Sequence, residues 1–140
     1  MNLNFLLNLK VLKAAVPKTT ILRFGGLVGP GRMPGRFFAG KADIPNGRAP
    51  INLIHLEDCV GITLRLIDEE SVPAYLNGVS PDHPSRSIFY TAAAAAQQLP
   101  TPTFVDELLD WKIVRSKYVQ DFRYDYSVKD WMAWIQNASE

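Results

Sequence analysis

Cysteine is all but missing from this sequence: its 140 residues contain only Cys59. A single thiol cannot close an internal disulfide or build a thiolate metal site, and it fits a reducing compartment such as the cytoplasm. An excess of charge of either sign is lacking too. Fifteen Lys and Arg against fourteen Asp and Glu leave a formal net charge of +1, so no one-signed field gathers phosphate backbones or anionic headgroups. Nucleic acid and membrane are therefore not expected partners. No apolar run is long enough for a bilayer, because the stretch from Asn4 to Val16 is broken by Asn8, Lys10 and Lys13. That stretch also lacks the basic start and small-residue cleavage site of a signal peptide. Internal repeats, charge runs and long linkers are absent. With 47% hydrophobic residues, the chain is expected to bury one core, as a single domain over residues 1–140.

What is present reads as alternating helices and strands. Leu3, Leu6, Leu7, Val11 and Ala14 fall near helical spacing and predict an amphipathic helix that ends at Pro17. The β-branched and apolar run from Thr19 to Phe24 predicts a buried strand. Gly25 to Gly35 follows, with five glycines and two prolines. That composition predicts an irregular loop that lets backbone approach a ligand closely. A helical turn is expected over Arg36 to Gly40, a tight turn at Asn46-Gly47, and a second strand around Pro50 to Ile54. Cys59, Val60, Ile62, Leu66 and Ile67 recur with helical period, and Glu57 and Asp58 suit the first turn of a helix that starts near His55 and runs to Glu69. Ala74 to Val79 alternates like a short strand. Pro84-Ser85 opens a helix through the alanine block Ala92 to Ala96, ending near Leu99. Trp111 to Val114 is read as a short strand. A closing helix is expected from Ser127 as N-cap, with Asp130 completing a capping-box-like start.

The glycine loop fails as a dinucleotide fingerprint. Gly29-Pro30-Gly31 sets a proline where phosphate needs free amides, no long helix clearly follows, and no acidic ribose partner stands downstream. A Gly-Lys-Ser/Thr phosphate loop is absent as well. His55-Leu56-Glu57-Asp58 reads either as a metal or catalytic cluster or as a capping and hydrogen-bonding corner, and the corner is the simpler reading. His83 reads as a loop residue, and Cys59 as a buried, inert thiol. Phe122, Tyr124, Tyr126, Trp131 and Trp134 either stack on a base or sugar or pack a core. Arg32, directly after the glycine loop, either reaches an anionic substrate group or stands solvated. No catalytic set and no metal site emerges.

Three stretches in order then resemble one family. Ile21-Leu22-Arg23-Phe24-Gly25-Gly26-Leu27-Val28-Gly29-Pro30-Gly31-Arg32 resembles the segment after the sixth strand of extended or atypical short-chain dehydrogenases, the NAD(P)-dependent sugar epimerases and dehydratases. Ile51 to Val60 is similar to that family's His-x-x-Asp-hydrophobic strand-to-helix segment, and Tyr75 to Ser80 followed by Pro84 to Tyr90 to its next strand and helix. The resemblance implies an α/β, partial Rossmann-like fold: the C-terminal part, with a few short, mostly parallel strands and four to five helices, lacking the N-terminal dinucleotide-binding half. It also implies that Phe24, Gly25 and Gly26 lie near the nicotinamide of NAD or NADP. Val28, Gly29, Pro30, Gly31, Arg32 and Met33 would line the pocket of a small-molecule substrate, such as a nucleotide sugar.

The family's phosphate loop and its catalytic Tyr-x-x-x-Lys lie upstream of these stretches, and Tyr126-Ser127-Val128-Lys129 has the wrong spacing to replace the latter. The leading expectation is thus a substrate-binding portion that is inactive and binds no cofactor alone, completed by an N-terminal half or by self-association. The alternative is a noncatalytic interaction module that self-associates or packs on a partner chain. An independent enzyme using His55, Asp58 and Arg32 ranks last; it requires those three side chains to converge on one pocket.

Overall fold

The computed structural model describes residues 19–121 and 123–138. The helix expected between Asn4 and Val16, and Phe122, lie outside the described residues. Among the described residues four short strands are formed, β1 (Ile21–Phe24), β2 (Gly26–Val28), β3 (Leu53–His55) and β4 (Tyr75–Gly78). Both pairings are parallel: β1 lies on β4 with Ile21 opposite Tyr75, and β2 lies on β3 with Gly26 opposite Leu53. Parallel neighbours need crossover connections, and the helix α1 (Leu56–Ile67), which follows β3 in the chain, sits in the one from β1 to β4. Three further helices follow, α2 (Arg86–Ala96), α3 (Lys117–Asp121) and α4 (Trp131–Asn137).

The expected loop after β1 is more regular than its composition suggested. Its first residues continue the strand but change partner. Gly25 donates its N–H to the Gly78 carbonyl at 3.0 Å, and Gly26 donates to the Asn52 carbonyl at 2.8 Å. A side chain at position 25 would put a Cβ 2.6 Å from the Asn52 oxygen, so glycine is what lets β1 hand over to β2. Further on, Pro34–Arg36 forms a 3-10 turn, where the helical turn had been expected to begin at Arg36.

The strand β3 is buried along its whole length because it separates two cores. Successive strand side chains point to opposite faces. Leu53 accordingly packs with Val28, Phe89, Val128, Trp131 and Ile135, while Ile54 packs with Cys59, Ile62, Leu76, Val119 and Tyr126. The first core is aromatic, with Phe89 and Trp131 rings in edge contact at 5.7 Å. The second closes beneath α1, whose buried face is Asp58, Cys59 and Ile62. Tyr124, Tyr126, Trp131 and Trp134 are all packing residues of these cores.

The helix ends differ from the sequence expectations in instructive ways. The helix α2 opens where expected, and Ser85 caps it, its hydroxyl receiving the Ile88 N–H at 3.4 Å. That helix stops at Ala96 rather than near Leu99, as Gln98 takes a left-handed φ of 54° and turns the chain toward Pro100. For α4 the cap is Asp130, not Ser127: its carboxylate receives the N–H groups of Met132 at 2.8 Å and Ala133 at 2.9 Å. The helix α3, only five residues long, has no sequence expectation of its own. The expected strand at Trp111 to Val114 is not one, its main chain being bonded to the Asn52 side chain. Among the described residues no helix is long and apolar enough to cross a membrane.

Candidate functional site: a groove where two strands part

Where β1 hands over to β2, its partners β4 and β3 lie on either side and a groove of about 450 Å³ opens. Phe24, Gly25 and Gly26 line it, with Arg23 and Lys112 as its cations and Asn52 and Asn77 as its amides. Among the described residues no carboxylate lines the groove. A Cβ at either glycine would run into protein, the Asn52 oxygen 2.6 Å from position 25 and the Leu53 side chain 2.6 Å from position 26, so both glycines are there for the close approach of main chain.

The structure brings Phe24, Gly25 and Gly26 together and spreads the other six residues expected around a ligand. Val28 is 2% exposed and belongs to the aromatic core. Gly29 is buried, and its carbonyl receives the Arg32 N–H at 2.9 Å, closing a turn that leaves Pro30 and Gly31 on the surface. Arg32 is exposed. Its Nε donates to the Leu27 carbonyl at 3.0 Å, and its guanidinium carbon stands 5.3 Å from the centre of the Phe37 ring. Met33 lines a different, mostly apolar cleft with Pro34, Trp134 and Ile135.

His55, Asp58 and Arg32 do not converge on one pocket. His55 is buried and caps α1, its Nδ1 receiving the Glu57 N–H at 3.3 Å, and its ring lies 5.4 Å from that of Trp134. Asp58 is fully buried and turns the other way, receiving the Ser127 N–H at 2.7 Å, the Val128 N–H at 3.3 Å and the Tyr124 hydroxyl at 3.2 Å. The capping-corner reading therefore holds, and the catalytic cluster is dropped. Burial, reinforced by the neighbouring Asp58 charge, pushes the Cys59 thiol up to about 11, which removes the thiolate needed for nucleophilic work at neutral pH. His83 is engaged through Nδ1 with the Ile51 carbonyl at 2.9 Å.

Sequence reasoning missed Asn52, Asn77 and Lys112. A signal was available for the asparagines. Both interrupt strand-like runs, Ile51-Asn52-Leu53 and Leu76-Asn77-Gly78, where asparagine is a poor strand former, and each has a hydrogen-bonding task. Lys112 carried none, since its position depends on contacts with residues about 60 positions away.

With this geometry in place, comparison with known proteins locates the fold. No protein-family model matches the sequence. The protein YeeZ of Escherichia coli K12, and that of strain O157:H7, are each 40% identical over 113 residues, which is 79% of this chain and 41% of theirs. The chain thus spans about two fifths of the length of the curated relatives it matches. Among solved structures, the human epimerase family protein SDR39U1 with NADPH superposes with a TM-score of 0.65 at 21% identity, over 86% of this chain and 48% of that one. UDP-glucuronic acid 4-epimerase from Bacillus cereus, in complex with UDP-glucuronic acid and NAD, gives 0.65 at 12% identity, over 94% and 47%. UDP-glucose 4-epimerase from Thermus thermophilus with NAD gives 0.65 at 13%, over 97% and 50%. At such identities the likeness is one of fold. The chain has the architecture of about half of a Rossmann-like epimerase, and at that level the resemblance of the three sequence stretches is borne out.

Proposed function

We propose that this chain is the C-terminal, substrate-side portion of an NAD(P)-dependent epimerase or dehydratase acting on a small molecule such as a nucleotide sugar. The observation that carries this reading is the groove at Phe24, Gly25 and Gly26, bare of side chains at its two glycines and flanked by Arg23 and Lys112. In this reading the nicotinamide ring approaches the main chain at Gly25 and Gly26, and Phe24 packs beside it. The exposed tip of the turn, Pro30, Gly31 and Arg32, bounds the substrate, with Arg32 available to an anionic group, while Val28, Gly29 and Met33 back it from behind. The dinucleotide phosphates and the catalytic Tyr and Lys come from protein beyond these 140 residues, so the chain alone neither holds the cofactor nor turns over. Residues 1–140 act as one domain of that assembly, and the lone thiol suits a reducing cytoplasm.

Mapping by hydrogen exchange tests the assignment. In the protein completed by its cofactor-binding half, NADH should protect the amides of Phe24, Gly25 and Gly26. Protection elsewhere with these three unchanged would contradict it.

A second reading, an interaction module that associates without catalysis, is favoured by two surfaces. Among the described residues no strand borders the edge of β1 opposite β4, and α1 exposes Leu56, Val60, Leu64 and Ile67 at 50%, 52%, 59% and 72%. Open edges and apolar stripes of this kind attract partners. Both readings expect a complex, with a second copy or with a complementing half. A clean monomer by light scattering at high concentration would remove self-association.

A further inference from the structure

Residues 109–116, of which Lys112 and Val114 line the groove, belong to no sheet or helix, yet their main chain is pinned along its length by side chains. The Asn46 amide receives the Leu109 N–H at 2.8 Å and donates to the Asp110 carbonyl. The Asn52 amide donates to the Lys112 carbonyl at 2.8 Å and receives the Val114 N–H at 2.7 Å. Asn77 donates to the Arg115 carbonyl at 3.4 Å, and the Ser116 hydroxyl is bonded to both the N–H and the carbonyl of Val79, at 2.7 and 3.1 Å. A primary amide offers the same donor and acceptor pair as a peptide group. Asn46 and Asn52 thus do for this segment what a neighbouring strand would do, which is why the expected strand at Trp111 to Val114 is absent.

Asn52 has a further property among these pegs. With Lys112 it lines both the groove and an adjoining cavity of about 330 Å³ that also holds Arg86 and Trp111. The pair stands between the two spaces, and Lys112 is held there through its own carbonyl. We propose that Asn52 is a positioning residue: by gripping the main chain on both sides of Ile113 it sets Lys112 at the groove, where with Arg23 it receives an anionic group of the ligand. This rests on the reading of the groove as the ligand site. A flexible lysine loses side-chain entropy when it pairs, and a fixed main chain spares it the additional cost of ordering its own backbone.

The test is a double-mutant cycle read by calorimetric titration with inorganic pyrophosphate, alongside amide exchange at Val114. Lys112→Gln should weaken binding by about tenfold, the worth of one charge-assisted hydrogen bond. Asn52→Ala should weaken it comparably and expose the Val114 amide. The double variant should bind no more weakly than Lys112→Gln, because Asn52 acts through Lys112. Asn46→Ala, which frees the segment away from the groove, should leave affinity within about threefold of the wild type if position, rather than general order, is what matters. Should Asn52→Ala fail to fold, Asn52→Ser, whose hydroxyl is too short to span both groups, carries the same expectation. Losses that multiply in the double variant, or an Asn52 variant that binds normally, would overturn the role of Asn52 alone. A wild-type chain that binds no pyrophosphate would overturn the ligand-groove reading, and this inference with it.

Discussion

Tyr124 donates its hydroxyl to Oδ1 of Asp58 at 3.2 Å, tying the segment before α4 to the first turn of α1. The same carboxylate receives the main-chain N–H groups of Ser127 and Val128. A fully buried carboxylate is tolerable only when its oxygens are met in this way. Replacing Asp58 with Ala leaves three donors without an acceptor and should cost about 3 kcal/mol, measured as a drop in the urea midpoint. Asp58→Asn, which keeps one acceptor oxygen, should cost less.

Alkaline pH should weaken the fold through the same corner. Burial, then the charge and hydrogen bond of Asp58, push the Tyr124 hydroxyl from 10.0 up to about 12, while Cys59 rises from 9.0 to about 11. Both groups hold their protons longer in the folded chain than in the unfolded one. Their contribution to stability is complete below about pH 9 and is lost as pH rises toward 12. Urea midpoints measured across that range should fall, and Tyr124→Phe should flatten the fall above pH 10. A wild-type midpoint that stays level from pH 9 to 12 would contradict this.

The cap of α4 separates two readings of one stretch. Asp130→Ala should cost about 1 kcal/mol, because its carboxylate receives two helix N–H groups. Ser127→Ala should cost almost nothing, since Ser127 contributes its main-chain N–H rather than its hydroxyl to the Asp58 contact. Thermal melts of the two variants would decide between the caps.

At the groove, Gly25→Ala would press a methyl group to within 2.6 Å of the Asn52 oxygen. Main chain cannot yield as a side-chain tip can, so a loss of about 1–3 kcal/mol is expected. Any ligand binding at the groove should fall with it, because β1 and β2 share their hand-over point with the Asn52 main chain. Chemical denaturation and titration of the same sample would measure both effects.

Much of the fold was legible in the sequence because local pattern and burial agree. The β1 run is β-branched and apolar, the α1 run has helical period, and the alanine block after Pro84-Ser85 leaves α2 little choice but helix. The misses share a cause, which is that the deciding contacts are remote. The strand-like Trp111 to Val114 is held by Asn52, about 60 residues earlier, and β2 hides in a glycine run because β3 recruits its backbone. Of the residues lining the groove, Phe24, Gly25 and Gly26 were named through the family resemblance of their stretch. Lys112 was not, because the strap bearing it is placed by Asn46 and Asn52 rather than by any pattern of its own.

The central claim is that this chain supplies the substrate side of a dinucleotide enzyme but not the dinucleotide phosphate site. The most direct test titrates NADH and NADPH by nicotinamide fluorescence, with the purified chain alone and with the part of YeeZ that the match leaves uncovered. The expected result is no saturable binding by the chain alone and micromolar binding after complementation. Micromolar binding of NADH or NADPH by the chain alone would contradict the claim and require a dinucleotide site within these 140 residues, beyond the pair of cations Arg23 and Lys112 that the groove offers to a substrate anion.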